Sequence, residues 1–142
     1  MANDAILPQV KNALIKENWI ITDAPYTIIY QSDRFYADIC AYREEAGTAR
    51  RVIVVEVKSC GSQSPMREFE QALGQYEMYR DLLEVNALDC EIYLAVDTDA
   101  YAKLMLRPTF QLICERHKVS LLVVETKTEE IVQWIRKQNT PT

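Results

Sequence analysis

The chain predicts an α/β domain in which helices flank a mixed sheet. Three observations carry that prediction. The run Val52-Ile53-Val54-Val55-Glu56-Val57-Lys58 is apolar on both alternating sets until charge enters, the pattern of a central strand buried on both faces. The periodicity along the chain reads helix, strands, helix, strand, helices, strand, an order that layers helices on one sheet. The 142 residues, 49% hydrophobic, suffice for one domain with a sizeable core.

Residues 4–17 read as an amphipathic helix with Ile6, Val10, Leu14 and Glu17 at helical spacing. Two strand-like pieces follow, Trp19–Thr22 and Tyr26–Tyr30, divided at Ala24-Pro25. Residues 35–42 and 50–58 read as strands joined across Glu44-Glu45-Ala46-Gly47, which suggests an antiparallel hairpin. Residues 59–65 read as a loop, and Ser64-Pro65 is a helix start, since serine caps and proline suits the first turn. The helix it opens runs to about residue 85. A strand at 91–96, two short helices divided near Pro108, a strand at 119–125 and a further strand at Ile131–Ile135 complete the order. One domain over 1–138 and a frayed tail at 139–142 are expected.

Composition excludes several classes. The net charge of −5 counts against a uniformly basic DNA-binding face, though not against a local basic patch. Three glycines leave no phosphate loop of the glycine-rich kind. The four cysteines (Cys40, Cys60, Cys90 and Cys114) form no Cys-x-x-Cys pair, so a zinc site is not expected, and Cys40 and Cys114 read as small core residues. No stretch approaches the roughly 20 apolar residues of a membrane span, and the N-terminal residues lack the pattern of a secretory signal. A cytoplasmic protein is the expectation.

The chemistry concentrates at the end of the central strand. Glu56 and Lys58 are two residues apart, so on a strand both point to the same face. The preceding strand holds one acid, Asp38, among apolar residues, and hairpin pairing would bring it near Glu56. Two close carboxylates repel, and a divalent cation such as Mg²⁺ or Mn²⁺ relieves that repulsion. Such a cation activates water and stabilises phosphoryl charge, with the lysine as a fixed positive charge beside it. The alternative is a plain Glu–Lys ion pair on a strand surface with Asp38 in solvent.

Asp38 followed by Glu56-Val57-Lys58, a loop and a helix resembles the PD-(D/E)XK nuclease core. The match is closer to one branch, the XisH family of fdxN-element excision controlling factors from cyanobacteria. It is carried by Val10-Lys11-Asn12-Ala13-Leu14-Ile15-Lys16, Val55-Glu56-Val57-Lys58-Ser59, Ala72-Leu73-Gly74-Gln75-Tyr76 and Tyr93-Leu94-Ala95-Val96. Ala37 stands where the motif's name has proline. The resemblance implies a restriction-endonuclease-like three-layer sandwich and an accessory role in programmed DNA excision. It implies Asp38, Glu56 and the Val57 carbonyl as metal ligands and Lys58 near the nucleophile. It also implies Gln75 reaching the site from the helix after the loop, and a first-helix acid, Glu17, at the metal. DNA, a companion excision factor and a recombinase are the implied partners. The acidic balance favours a protein partner or a homo-oligomer that supplies basic surface.

Several residues carry weaker signals. Gln71, Gln75 and Tyr79 follow one another at i, i+4 steps beside the apolar face of Phe69, Leu73, Tyr76 and Leu83, so Tyr79 reads either as a packed residue at a polar helix border or as a residue that reaches the site. His117, the only histidine, reads as a helix-end group rather than a catalyst. Arg34, Arg50 and Arg51 read as solvated strand-end charges, or alternatively as phosphate contacts. Asp97 and Asp99 read as caps of the next helix. Two functions follow for the whole: a metal-dependent DNA endonuclease in control of element excision, or a catalytically silent DNA- or protein-binding module on the same fold.

Overall fold

The computed structural model describes residues 5–47, 50–59 and 64–137. The elements are α1 (Leu7–Lys16), β1 (Ile20–Asp23), β2 (Tyr26–Tyr30), β3 (Asp33–Ala37), β4 (Ile39–Arg43), β5 (Arg51–Val57), α2 (Pro65–Val85), β6 (Glu91–Asp97), α3 (Thr98–Met105), α4 (Pro108–Arg116), β7 (Leu121–Glu125) and β8 (Glu130–Ile135). Six strands form one mixed sheet in the order β1-β4-β5-β6-β7-β8, and β2 and β3 form a separate two-stranded sheet. The tail at 139–142 and Cys60 in the loop after β5 lie outside the described residues. Among the described residues, no helix is long and apolar enough to cross a membrane.

The apolar run places β5 inside the sheet, antiparallel to β4 and parallel to β6. Its side chains alternate between two cores. Val52 and Val54 face the core built with α2, α3 and α4, while Ile53, Val55 and Val57 face the core built with α1. Strands β5, β6 and β7 run parallel and in spatial sequence, so crossovers of one hand put α2, α3 and α4 on the same face. The first helix covers the other face with Val10, Ala13 and Leu14, all buried.

The residues expected to form one strand, 35–42, form two. The chain bends at Asp38: β3 pairs with β2 through Ile28↔Phe35 and Tyr26↔Ala37, and β4 pairs with β5 from Ile39↔Val55 onward. The core contacts explain the break. Ala37 lines the α2-side core and Ile39 the α1-side core, although residues two apart on a continuous strand would share a face.

Helix α2 buries Phe69, Ala72, Tyr76, Tyr79 and Leu83, a 3-4-3-4 spacing that makes one apolar stripe. Tyr79 therefore belongs to the core and not to its border. Tyr76 is fully buried, and its hydroxyl accepts the backbone N–H of Ser120 at 2.9 Å. Tyr76→Phe would leave that buried N–H without its partner, at a cost of about 1–3 kcal/mol. Urea denaturation should show a lower midpoint with an unchanged m-value; an unshifted midpoint would mean that Ser120 finds another acceptor.

Candidate functional site

The site forms where β5 ends. The pairing Ile39↔Val55 places Asp38 one register step further on, opposite Glu56. Asp38 Oδ2 accepts the backbone N–H of Val57 at 2.8 Å, so the carboxylate replaces the strand partner that the bend removes. On the other side the ladder continues, with Lys58 N–H donating to the Ala95 carbonyl at 2.9 Å. The alternation that sends Val55 and Val57 toward α1 sends Glu56 toward α2. The structure thus brings Asp38, Glu56 and Lys58 to one strand end, with the ammonium of Lys58 close enough for its charge to act on Glu56.

Glu56 is 4% exposed. Its Oε1 is buried with no hydrogen-bond partner among the described residues. Burial pushes its carboxyl up to about 8, and the Asp38 charge pushes the same way, against the smaller opposing pull of Lys58 and the Asp38 backbone amide. A proton or a cation can satisfy this oxygen. Among the described residues, no group of three or more His, Cys, Asp or Glu side chains gathers as a metal cage. A cation here would rely on two carboxylates with backbone and water oxygens, a set that suits Mg²⁺. The orphaned Glu56 oxygen and the facing Asp38 carboxylate fit such an ion.

Tyr79 of α2 faces this region. The Tyr79 hydroxyl is raised by burial and then by the charges of Glu56 and Asp38, which places it in their field. Gln75 lies one turn earlier; it is half-buried, and its Oε1 also lacks a hydrogen-bond partner among the described residues. Glu17 is not brought to the pair. It caps the C-terminus of α1, its carboxylate accepts Trp134 Nε1–H at 3.1 Å, and its carbonyl accepts from Arg43, which pairs with Arg51 at the first residue of β5. Arg51 and Glu56 are separated by about 17 Å of strand. The sheet therefore holds Glu17 near one end of β5 and the acid pair at the other.

Several other charged residues have structural partners. Arg51 binds the Glu91 carboxylate at 2.9 and 3.0 Å, and Glu45 at 3.2 Å. Its guanidinium and that of Arg43 also lie over the Trp19 ring. Arg50 lies over the ring of Tyr42 at 4.1 Å. Arg51 is thus part of a buried-edge network rather than a solvated charge, which its sequence neighbours could not reveal. His117 Nδ1 lies 3.0 Å from Glu77 Oε2, at the C-terminus of α4. Asp97 caps α3 by accepting Ala100 N–H at 2.7 Å. Cys40 and Cys114 are buried, and burial pushes the Cys114 thiol up to about 12. A cavity of about 360 Å³ lies elsewhere, between the C-terminal half of α2 and the start of β6.

The fold and this strand end define an α/β sandwich protein with a carboxylate pair and a lysine at the edge of its central strand. The chain belongs to the XisH family: the family model described as XisH protein matches residues 1–132. It is similar to the crystal structure of an XisH family protein from Nostoc punctiforme PCC 73102, with 33% identity and a TM-score of 0.82 over 94% of this chain and all of that one. It is also similar to the fdxN element excision controlling factor protein from Anabaena variabilis, with 37% identity and a TM-score of 0.81 over 91% of this chain and 96% of that one. No curated protein matches the chain.

The burial of Glu56 sets a pH dependence. Its folded-state pKa lies above its ordinary value of 4.5, so the native state keeps a proton that the unfolded state loses. Stability is full below that ordinary value and falls as the pH rises toward 8. Glu56→Gln should flatten this decline and melt about 4 °C or more above the wild type at pH 8.5 in metal-free buffer. Parallel melting-temperature profiles from pH 5 to 9 for the two proteins would mean that Glu56 is charged at neutral pH.

Proposed function

We propose that this chain is a restriction-endonuclease-like factor acting on DNA in the control of element excision, with a site suited to Mg²⁺-dependent phosphodiester hydrolysis. The observation that supports it most is the Asp38–Glu56 pair, with a buried, unpartnered oxygen on Glu56 and Lys58 at the same strand end. The name of the Anabaena variabilis relative, an fdxN element excision controlling factor, supports the excision role.

Asp38, Glu56 and the Val57 carbonyl would hold Mg²⁺ or Mn²⁺. When bound, the cation supplies Lewis-acid polarisation of a phosphoryl oxygen and a lowered pKa for a coordinated water. The chain's own residues do the rest. Glu56 gives up its proton to become a ligand, so metal affinity rises with pH through the range where Glu56 ionises. Lys58 offers a fixed positive charge to the oxygen on which negative charge develops. Gln75, with its own unpartnered oxygen, orients a water or substrate hydroxyl donor from the α2 side. The net charge of −5 argues that affinity for DNA is completed by a basic partner, a companion excision factor or recombinase, or by a second copy of the chain.

A second reading, a silent DNA- or protein-binding module, is favoured by the two-carboxylate count and by the engagement of Asp38 Oδ2 with Val57 N–H. Cation binding and cleavage separate the two. Millimolar Mn²⁺ should raise the melting temperature of the wild type through binding to the native state, and Asp38→Asn should remove most of that shift. Lys58→Met should lower Mg²⁺-dependent cleavage of branched, nicked or linear DNA about 100-fold while leaving DNA affinity unchanged. A wild type that cuts none of these substrates, with or without partner proteins, supports the binding module; cleavage that survives Lys58→Met together with Asp38→Asn places the activity elsewhere.

A further inference from the structure

We propose that Tyr79 is the positioning residue of this site: it locks the β2–β3 hairpin to α2 and so holds Asp38 against the end of β5. Asp38 is the joint between two sheets. On its C-terminal side β4 is fixed by pairing with β1 and β5, but on its N-terminal side β3 pairs only with β2. Backbone pairing therefore leaves the hairpin's tilt, and with it the bend at Asp38, to side-chain contacts.

Two side-chain hydrogen bonds from α2 and its C-cap reach the hairpin backbone. Tyr79 Oη donates to the Tyr36 carbonyl at 3.3 Å, two residues before Asp38. Asn86 Nδ2 donates to the Ile29 carbonyl at 2.9 Å, near the hairpin's far end. Tyr79 is 5% exposed, and its ring lies 6.4 Å from that of Phe35. Its placement serves the site in a second way. The hydroxyl stands in the field of both carboxylates, yet its single proton goes to Tyr36, so it does not neutralise them. It fixes Asp38 without donating to either carboxylate.

The name "site" rests on the proposed function, but the positioning role has a readout of its own. Val57 N–H donates to Asp38 Oδ2, so hydrogen exchange of that one amide, followed by NMR without metal, reports whether Asp38 is in place. Tyr79→Phe keeps the ring and removes the anchor. The Val57 amide should then exchange about tenfold faster, the equivalent of one lost hydrogen bond, while the Leu94 and Val123 amides keep their protection. Asp38→Ala sets the upper limit of the loss. Asn86→Ala, which frees only the distal end, should leave Val57 unchanged.

Unchanged Val57 exchange in Tyr79→Phe overturns the role, as does an equal loss at Val57, Leu94 and Val123, which would report general loosening. A Mn²⁺ titration of the same variants separates this inference from the metal reading. Binding by the wild type that weakens about tenfold in Tyr79→Phe supports both. Faster Val57 exchange in a protein that binds no Mn²⁺ keeps the positioning role and overturns the metal reading alone.

Discussion

One constraint organises this molecule: a carboxylate buried at the end of the central strand, with a second carboxylate folded in to face it. Burying Glu56 beside Asp38 works against stability, because both burial and charge disfavour its ionised form. A core designed for stability alone would place an apolar residue there, as it does at Val54 and Val55. The fold accommodates the acid by letting β4 start late, so that the Asp38 side chain takes the Val57 N–H that a strand neighbour would otherwise hold. The bend, the separate hairpin and its contacts with α2 follow from that arrangement.

The rest of the structure reads as support for it. The parallel crossovers put α2 over the same face as Glu56, so its buried stripe supplies Tyr79, with Gln75 one turn away. At the other end of β5 the charged groups pair with one another, although the buried Trp19 Nε1–H has no hydrogen-bond partner among the described residues. Arg51 bridges Glu45 and Glu91, and Tyr93 Oη donates to Glu91 at 2.7 Å beside the Trp19 and Trp134 rings. The contrast is informative: among the described residues, the charges at one end of the strand pair with one another, and at the other a buried Glu56 oxygen has no donor.

The central strand, the β4–β5 hairpin, the long helix starting at Pro65 and the strand at 91–96 were all legible in the sequence, because each rests on a local pattern. So were the helix start at Ser64-Pro65, although the Ser64 side chain makes no capping hydrogen bond, and the cap at Asp97. The shared direction of Glu56 and Lys58 was legible for the same reason: period 2 is a property of the strand itself. What stayed hidden depends on distant contacts. Phe35–Tyr42 has no glycine or proline to announce a break; the break at Asp38 comes from the Val57 N–H and from opposite cores claiming Ala37 and Ile39. Glu17 continues the apolar spacing of the first helix, but spacing does not say toward which end of the sheet the helix points. Tyr79 could have been placed in the core, since residues 72, 76, 79 and 83 complete one stripe. Arg51 could not, because its partner Glu91 is fixed only by the β5–β6 pairing.

The central claim is that the facing acids form a cation site. The most direct test is an anomalous difference map from a crystal of this protein soaked in Mn²⁺ above pH 8, where Glu56 is ionised. The account predicts one peak between Asp38 and Glu56, within coordination distance of the Val57 carbonyl, and none in the same soak of Asp38→Asn. A map with no peak there, and the Lys58 ammonium bonded to Glu56 in its place, would contradict it.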